Sequence, residues 1–122
     1  MSYITLDKIQ VYQMYKIFSK EAWLIYSTLK WELKKIWGDQ YIRSVDSIGA
    51  NIAEGYGRYH FLDKIKFYYN ARGSLLEAKH WLDLGYERNI ISKEKYLQLA
   101  DYYYNINLGL NGLISSNYQN KK

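Results

Sequence analysis

Apolar positions along most of this chain recur at spacings of three and four. Val11, Met14, Phe18, Ala22, Ile25 and Leu29 make a first stripe, and Tyr41, Val45, Ile48 and Ile52 a second. Tyr68, Ala71, Leu75, Ala78, Leu82 and Gly85 make a third; Tyr96, Leu99, Tyr103, Ile106, Leu110 and Leu113 make a fourth. That period gathers each set on one side of an α-helix. No alternating strand pattern competes with it. Asp7 is placed to cap the first helix. The second runs to about Tyr56. The third begins near Phe61 and ends at Glu87-Arg88-Asn89, with Asn89 as a left-handed cap. Ser92 is placed to cap the fourth, with Glu94 near its positive end. The turn between the first two helices is assigned to Lys30-Trp31-Glu32-Leu33-Lys34-Lys35, which holds no strong breaker. Trp23, Trp31 and Trp37 fall off the first stripe or near its end, and the polar residues from Asn117 to Lys122 are expected to fray. Four helices with short links predict an all-α, antiparallel up-down-up-down four-helix bundle, one domain over residues 1–122.

Composition supports this picture. The 122 residues are 48 % hydrophobic and 18 % aromatic, enough for a real core and unlike a disordered tail. Proline is absent and eight glycines are the only strong breakers, which favours long helices. No apolar run reaches the ~18 residues needed to span a bilayer. The first residues lack the basic start and apolar core of a signal peptide. With no cysteine there is neither a disulfide framework nor a thiolate metal site. The expectation is a cytoplasmic protein that does not enter a membrane. Its formal charge of +5 fits nucleic acid or another acidic partner, and equally fits simple solubility.

One segment departs from a plain amphipathic pattern: Ser47-Ile48-Gly49-Ala50-Asn51-Ile52-Ala53-Glu54-Gly55-Tyr56-Gly57-Arg58. Gly55 and Gly57 are able to end the second helix in the left-handed conformation, with Arg58 at its negative end. Asn51 and Glu54 near an apolar run call for specific polar contacts. Through Gln40, Ile42, Arg43, Ser47, Ile48, Asn51, Ile52, Ala53, Glu54, Gly55, Gly57 and Arg58, the segment resembles the signature of the four-helix-bundle proteins named after the intervening sequences of 23S ribosomal RNA. A second block, Ala71, Gly73, Ser74, Leu75, Glu77 and Leu82, extends the resemblance, which covers most of the chain from Val11 to Leu113. Gly49 stands where that family usually has proline, and the link between the first two helices is shorter than usual. The resemblance implies a homo-oligomer in the form of a ring-like pentamer. It also implies kinship with the accessory variability determinant proteins of diversity-generating retroelements, basic bundles that assist a reverse transcriptase.

The fourth helix carries one charged residue, Asp101, between Tyr96 and Gln119. A charge-poor aromatic face suits a subunit interface. Tyr102 and Tyr104 are the residues assigned to it, and Phe61, Ile65, Tyr69, Leu76, Trp81 and Leu84 on the third helix lie off its inner stripe as well.

Catalytic constellations are sparse. Glu77-x-x-His80 is half of a di-iron carboxylate motif, but Gly57 stands where a second copy preceding His60 needs glutamate. No phosphate-binding glycine loop, nucleophile elbow or zinc-protease motif occurs. The expectation is a non-enzyme without cofactor or metal. Glu54 and Glu77 are assigned structural roles, with Glu54 in a buried pairing with Arg58 or Asn51. Basic residues are the better lead. Lys64, Arg72 and Lys79 lie near one stripe of the third helix, with Arg58 and Lys66 close in sequence and Tyr59 and Tyr68 able to stack. Lys30, Lys34 and Lys35 form a second cluster. Acidic neighbours dilute both groups. The sequence therefore supports two readings: an oligomer that binds RNA or DNA, structured RNA above all, or assists a protein such as a reverse transcriptase, and a structural or protein-interaction module with no nucleic-acid binding.

Overall fold

The structure is a computed structural model and describes residues 5–119. Four helices carry it. Helix α1 is Gln10–Thr28. Helix α2 covers residues 31–57 and is built from Trp31–Leu33, a π-helical turn Lys34–Gly38 and Asp39–Gly57. Helix α3 is Phe61–Glu87 and helix α4 is Lys93–Gln119. Each helix packs on its neighbours in the chain, and α4 closes against α1. That order is the up-down-up-down bundle.

The inner stripes lie where the spacing puts them. Val45, Ile48 and Ile52 of α2, Ala71, Leu75, Ala78 and Leu82 of α3, and Leu99, Ile106 and Leu110 of α4 share one buried core with Val11, Phe18 and Ala22 of α1. Ile65, Tyr68 and Ile114 close one end as a smaller cluster. Asn89 has φ 60° and turns the chain after α3, where Ile90 and Ile91 donate their N–H groups to the Gly85 carbonyl. The Ser92 hydroxyl accepts the Lys95 N–H at 3.1 Å and caps α4.

Several boundaries differ from expectation. A single 3₁₀ turn, Leu6–Lys8, precedes α1, so Asp7 does not cap that helix; its carboxylate accepts the Thr5 hydroxyl instead. The residue before α1 is Ile9, which has no capping side chain. The α1–α2 turn is Leu29 and Lys30, both extended, and the chain is helical again from Trp31. Residues 31–35 are therefore the start of α2. At the other end, Asn117 to Gln119 remain helical and the Asn117 amide bonds the Leu113 carbonyl at 2.9 Å. The rest of the stretch expected to fray, 120–122, lies outside the described residues.

The π-turn gives Trp37 its place. Leu33, Trp37, Tyr41 and Val45 are spaced by fours, which drifts by ~40° per step around a straight α-helix. A wider turn takes back part of that drift. Trp37 is fully buried, stacks on Tyr41 with ring centroids 4.9 Å apart, and donates its indole N–H to the Trp81 carbonyl at 2.6 Å. It is a core residue, not an end-of-stripe one. Gly85 leaves room for it: a Cβ there would lie 2.6 Å from the Trp37 ring. Gly49 does the same for α1, since a Cβ at that position would collide with the Tyr15 ring.

Tyr41 is wholly enclosed, yet its hydroxyl has no hydrogen-bond partner, and burial raises its pKa above the ordinary phenol value. An unpaired buried hydroxyl costs about 1–3 kcal/mol. Tyr41→Phe is thus expected to leave the fold intact and raise stability by about 1 kcal/mol, read as a higher urea midpoint at unchanged slope. A lower midpoint would show that the hydroxyl is satisfied.

Candidate nucleic-acid interface

The end of α2 and the start of α3 set the first cations. Arg58 follows the last turn of α2 and pairs with Glu54 at 2.8 Å. Both side chains are about half exposed, at 43 % and 50 %. The expected pairing is present, but it is a surface ion pair and not a buried one. Ile52 faces the core, and Glu54, two residues on, is turned ~200° away from it. Such a pair contributes roughly 0.3–0.5 kcal/mol. The guanidinium of Arg58 also lies 4.8 Å from the Phe67 ring centroid and the Lys66 ammonium 5.8 Å from it, so this ring gathers two cations.

The three cations of α3 do not form one row. Eight residues separate Lys64 from Arg72, which rotates them ~80° apart. Lys64 turns to the end of α2 and donates to the carbonyls of Tyr56 at 2.8 Å and Gly55 at 3.4 Å. Desolvation by burial lowers its pKa. Arg72 turns to α4, donates to the Asn111 side-chain oxygen at 2.6 Å and covers Tyr69 with its guanidinium 4.8 Å from the ring centroid. Lys79 bonds Asp83 one turn on along α3 at 2.8 Å and donates to the Tyr96 hydroxyl of α4 at 3.3 Å. Burial works against the Lys79 charge, but these partners prevail and its pKa is raised. Asp83 shows the converse: burial opposes its charge, and the bonds from Lys79 and Tyr96 hold its pKa below the usual carboxylate value.

Asn51 is half-buried and donates to the Ser47 carbonyl and hydroxyl at 2.9 and 3.2 Å, while Ser47 bonds Ser74 of α3 at 2.9 Å. Glu77 is exposed and accepts the Trp81 indole N–H at 3.2 Å. Neither glutamate is a buried structural group. Gly55 and Gly57 both keep negative φ. The helix runs through them and ends at an extended Arg58. Gly55 matters for closeness, since a Cβ there would lie 2.7 Å from the Tyr68 ring of α3. Among the described residues no group of three histidine, aspartate or glutamate side chains is placed to hold a metal. No helix among them is long and apolar enough to cross a membrane.

The charge-poor face of α4 splits in two. Tyr102 packs inward, against its own core and near Phe18 at 6.3 Å between centroids. Tyr104 points out, 60 % exposed, with Leu97 and Leu108 exposed on the same helix. Leu62, Tyr69 and Leu76 repeat every seven residues on the exposed side of α3. Phe61 of α3 and Tyr118 of α4 meet edge to face across the seam between the two helices, with ring centroids 5.1 Å apart. Outward-facing apolar residues thus line both helices on either side of that seam.

The bundle and the Gln40–Arg58 block on α2 have known counterparts. The family model for the 23S rRNA-intervening sequence protein matches residues 7–112. The chain belongs to that family. A crystal structure of a protein of unknown function from the S23 ribosomal protein family of Bacteroides thetaiotaomicron is similar in fold, with a TM-score of 0.80 and 28 % sequence identity. The similarity covers 86 % of this chain and 95 % of that one. No curated protein matches the chain. Within the chain the signature block divides by side. Ile42, Ile48, Ile52 and Gly55 are buried. Gln40, Arg43, Glu54, Gly57 and Arg58 are exposed, with Ser47, Asn51 and Ala53 between the two. The inward half serves helix packing; the outward half is a polar surface with an open groove beside Ala50, Ala53 and Gly57.

Proposed function

We propose that this protein is a non-enzymatic, homo-oligomeric helical scaffold of the cytoplasm, a pentamer in its simplest form, that holds nucleic acid and above all structured RNA. The observation carrying this reading is the pair Lys64 and Arg72. Both are positioned by neutral acceptors, backbone carbonyls and an asparagine oxygen, so neither charge is cancelled by its hydrogen-bond partner. Held cations of this kind meet phosphate at little ordering cost. Lys66 adds charge at the same end of α3, and Arg58, paired with Glu54, adds less. Lys79, bound to Asp83, adds least. The family description, which names ribosomal RNA, supports the same reading. Repetition around an oligomer makes contacts that are weak singly act together.

Titration of a labelled structured RNA tests it. Binding is expected at ~50 mM salt and should weaken steeply by ~200 mM, because phosphate contacts release counterions. Arg72→Gln with Lys66→Gln is expected to weaken binding across sequences and to flatten the logarithmic salt slope by about 0.7–0.9 for each phosphate that is no longer neutralised. No binding at low salt would leave the protein-interaction module as the function. Binding with an unchanged slope would place the nucleic acid away from α3.

A further inference from the structure

The corner between α1 and α2 has a composition unlike the rest of the surface. Trp23 is 55 % exposed and Trp31 67 %. Exposing two indoles loses a large burial gain, so an occupant is expected to cover them. They belong to one connected cluster. Trp23 stacks on Tyr26 at 5.5 Å, the Tyr26 hydroxyl donates to Asp39 at 2.7 Å, and Lys35 reaches Asp39 at 4.0 Å. The Lys35 ammonium stands 5.5 Å from the Trp31 ring centroid, and Lys34 stands 5.0 Å from that of Tyr26. Lys30 is exposed at the turn itself. Three lysines therefore share this corner with two open indoles, Lys35 over the Trp31 ring itself. Glu32 is exposed here too, and Asp39 is already engaged by Tyr26 and Lys35.

We infer that this corner is a stacking platform for the unpaired bases of a single-stranded nucleic acid. The inference rests on the nucleic-acid reading above and adds a site that reads strand state. Each indole offers a flat face to a base, and the lysines stand where the flanking phosphates would lie. Charge decides against the same corner of a second copy as occupant. Two such corners placed together would bring like charges into contact, whereas a polyanion is attracted. The exposed side of α4, which carries Leu97, Tyr104 and Leu108, is the better surface for self-contact. Duplex bases are stacked already and cannot use the indoles, so only single strands gain from the platform.

Intrinsic fluorescence tests this on the full chain. Oligouridylate should quench emission as it binds, since Trp37 is buried, Trp81 is half-buried with its indole N–H on Glu77, and the two corner indoles are open to stacking. Trp31→Ala is expected to lose much of the quench and to weaken oligouridylate about tenfold, with duplex RNA affinity unchanged. Trp31→Phe, which keeps an aromatic face, should restore most of the affinity. Trp23→Ala should act in the same direction. If the wild type binds oligouridylate and Trp23→Ala with Trp31→Ala leaves that affinity intact, the platform is overturned while the nucleic-acid reading stands. If neither single-stranded nor duplex RNA binds at low salt, both fall together. If polyglutamate, and not oligouridylate, quenches the indoles, the corner docks an acidic protein and the inference is overturned.

Discussion

Replacing Trp37 by alanine is expected to cost about 3–5 kcal/mol of folding stability, the range for deleting a large aromatic side chain from a packed core. The indole lies at the meeting point of three features: the π-turn of α2, the Tyr41 ring and the Trp81 carbonyl of α3. Its loss leaves a cavity and removes a hydrogen bond at once. The same geometry predicts a sign change. In the wild type, Gly85→Ala pushes a methyl group against the Trp37 ring and is expected to destabilise by about 1–3 kcal/mol. In the Trp37→Ala background the closest obstruction is gone, and the neighbour that remains, the Ile91 Cδ1 at 3.0 Å, is the tip of a flexible side chain. Alanine at this helical position then gains about 1 kcal/mol of helix propensity over glycine and fills part of the void. A double-mutant cycle by urea unfolding reads both. If Gly85→Ala costs the same in both backgrounds, the Trp37–Gly85 contact does not set the α2–α3 packing.

The amount legible in the sequence follows from how local each cause is. Val45, Ile48 and Ile52, or Leu75, Ala78 and Leu82, are buried because a helix with that spacing has no other way to hide them. Asn89 and Ser92 act within a few residues of themselves, and both end up in the expected roles. The Leu29–Lys30 turn was not legible, because ordinary residues make it with ordinary extended dihedrals and no glycine or proline marks it. The π-turn was hidden for a related reason: what it accommodates is a tertiary contact of Trp37 with α3. Gly49, which differs from the usual family residue, is explained only by the Tyr15 ring arriving from α1. At the candidate site, angle was the neglected signal. The ~100° step of a helix already turns Glu54 away from the core and separates Lys64 from Arg72. What no sequence arithmetic supplies is the identity of their partners: the α2 carbonyls for Lys64, Asn111 for Arg72 and Asp83 for Lys79.

Assembly should respond as strongly as folding, and its symmetry is open to the same kind of test. A closed ring with an odd number of copies cannot use one self-complementary patch; it needs two different surfaces on each subunit. The face over the α3–α4 seam, with Leu76 and Tyr104 exposed, offers one. Ile17 and Leu24, seven residues apart and exposed on α1, offer a second. Tyr104→Lys and Leu24→Glu are each expected to dissociate the oligomer to the 14.6 kDa monomer with helicity unchanged, because a buried unpaired charge is costly and every interface of a ring carries it. Light scattering at micromolar concentration gives the answer, and a wild type already monomeric there refutes assembly itself. Mixing the two variants separates ring from dimer. In a ring, the intact α3–α4 face of Leu24→Glu still meets the intact α1 face of Tyr104→Lys, and the chain of contacts stops after one pair. The mixture should therefore form a heterodimer and nothing larger. In a two-fold dimer built on the α3–α4 face alone, Leu24→Glu assembles like the wild type and the two-surface ring is excluded.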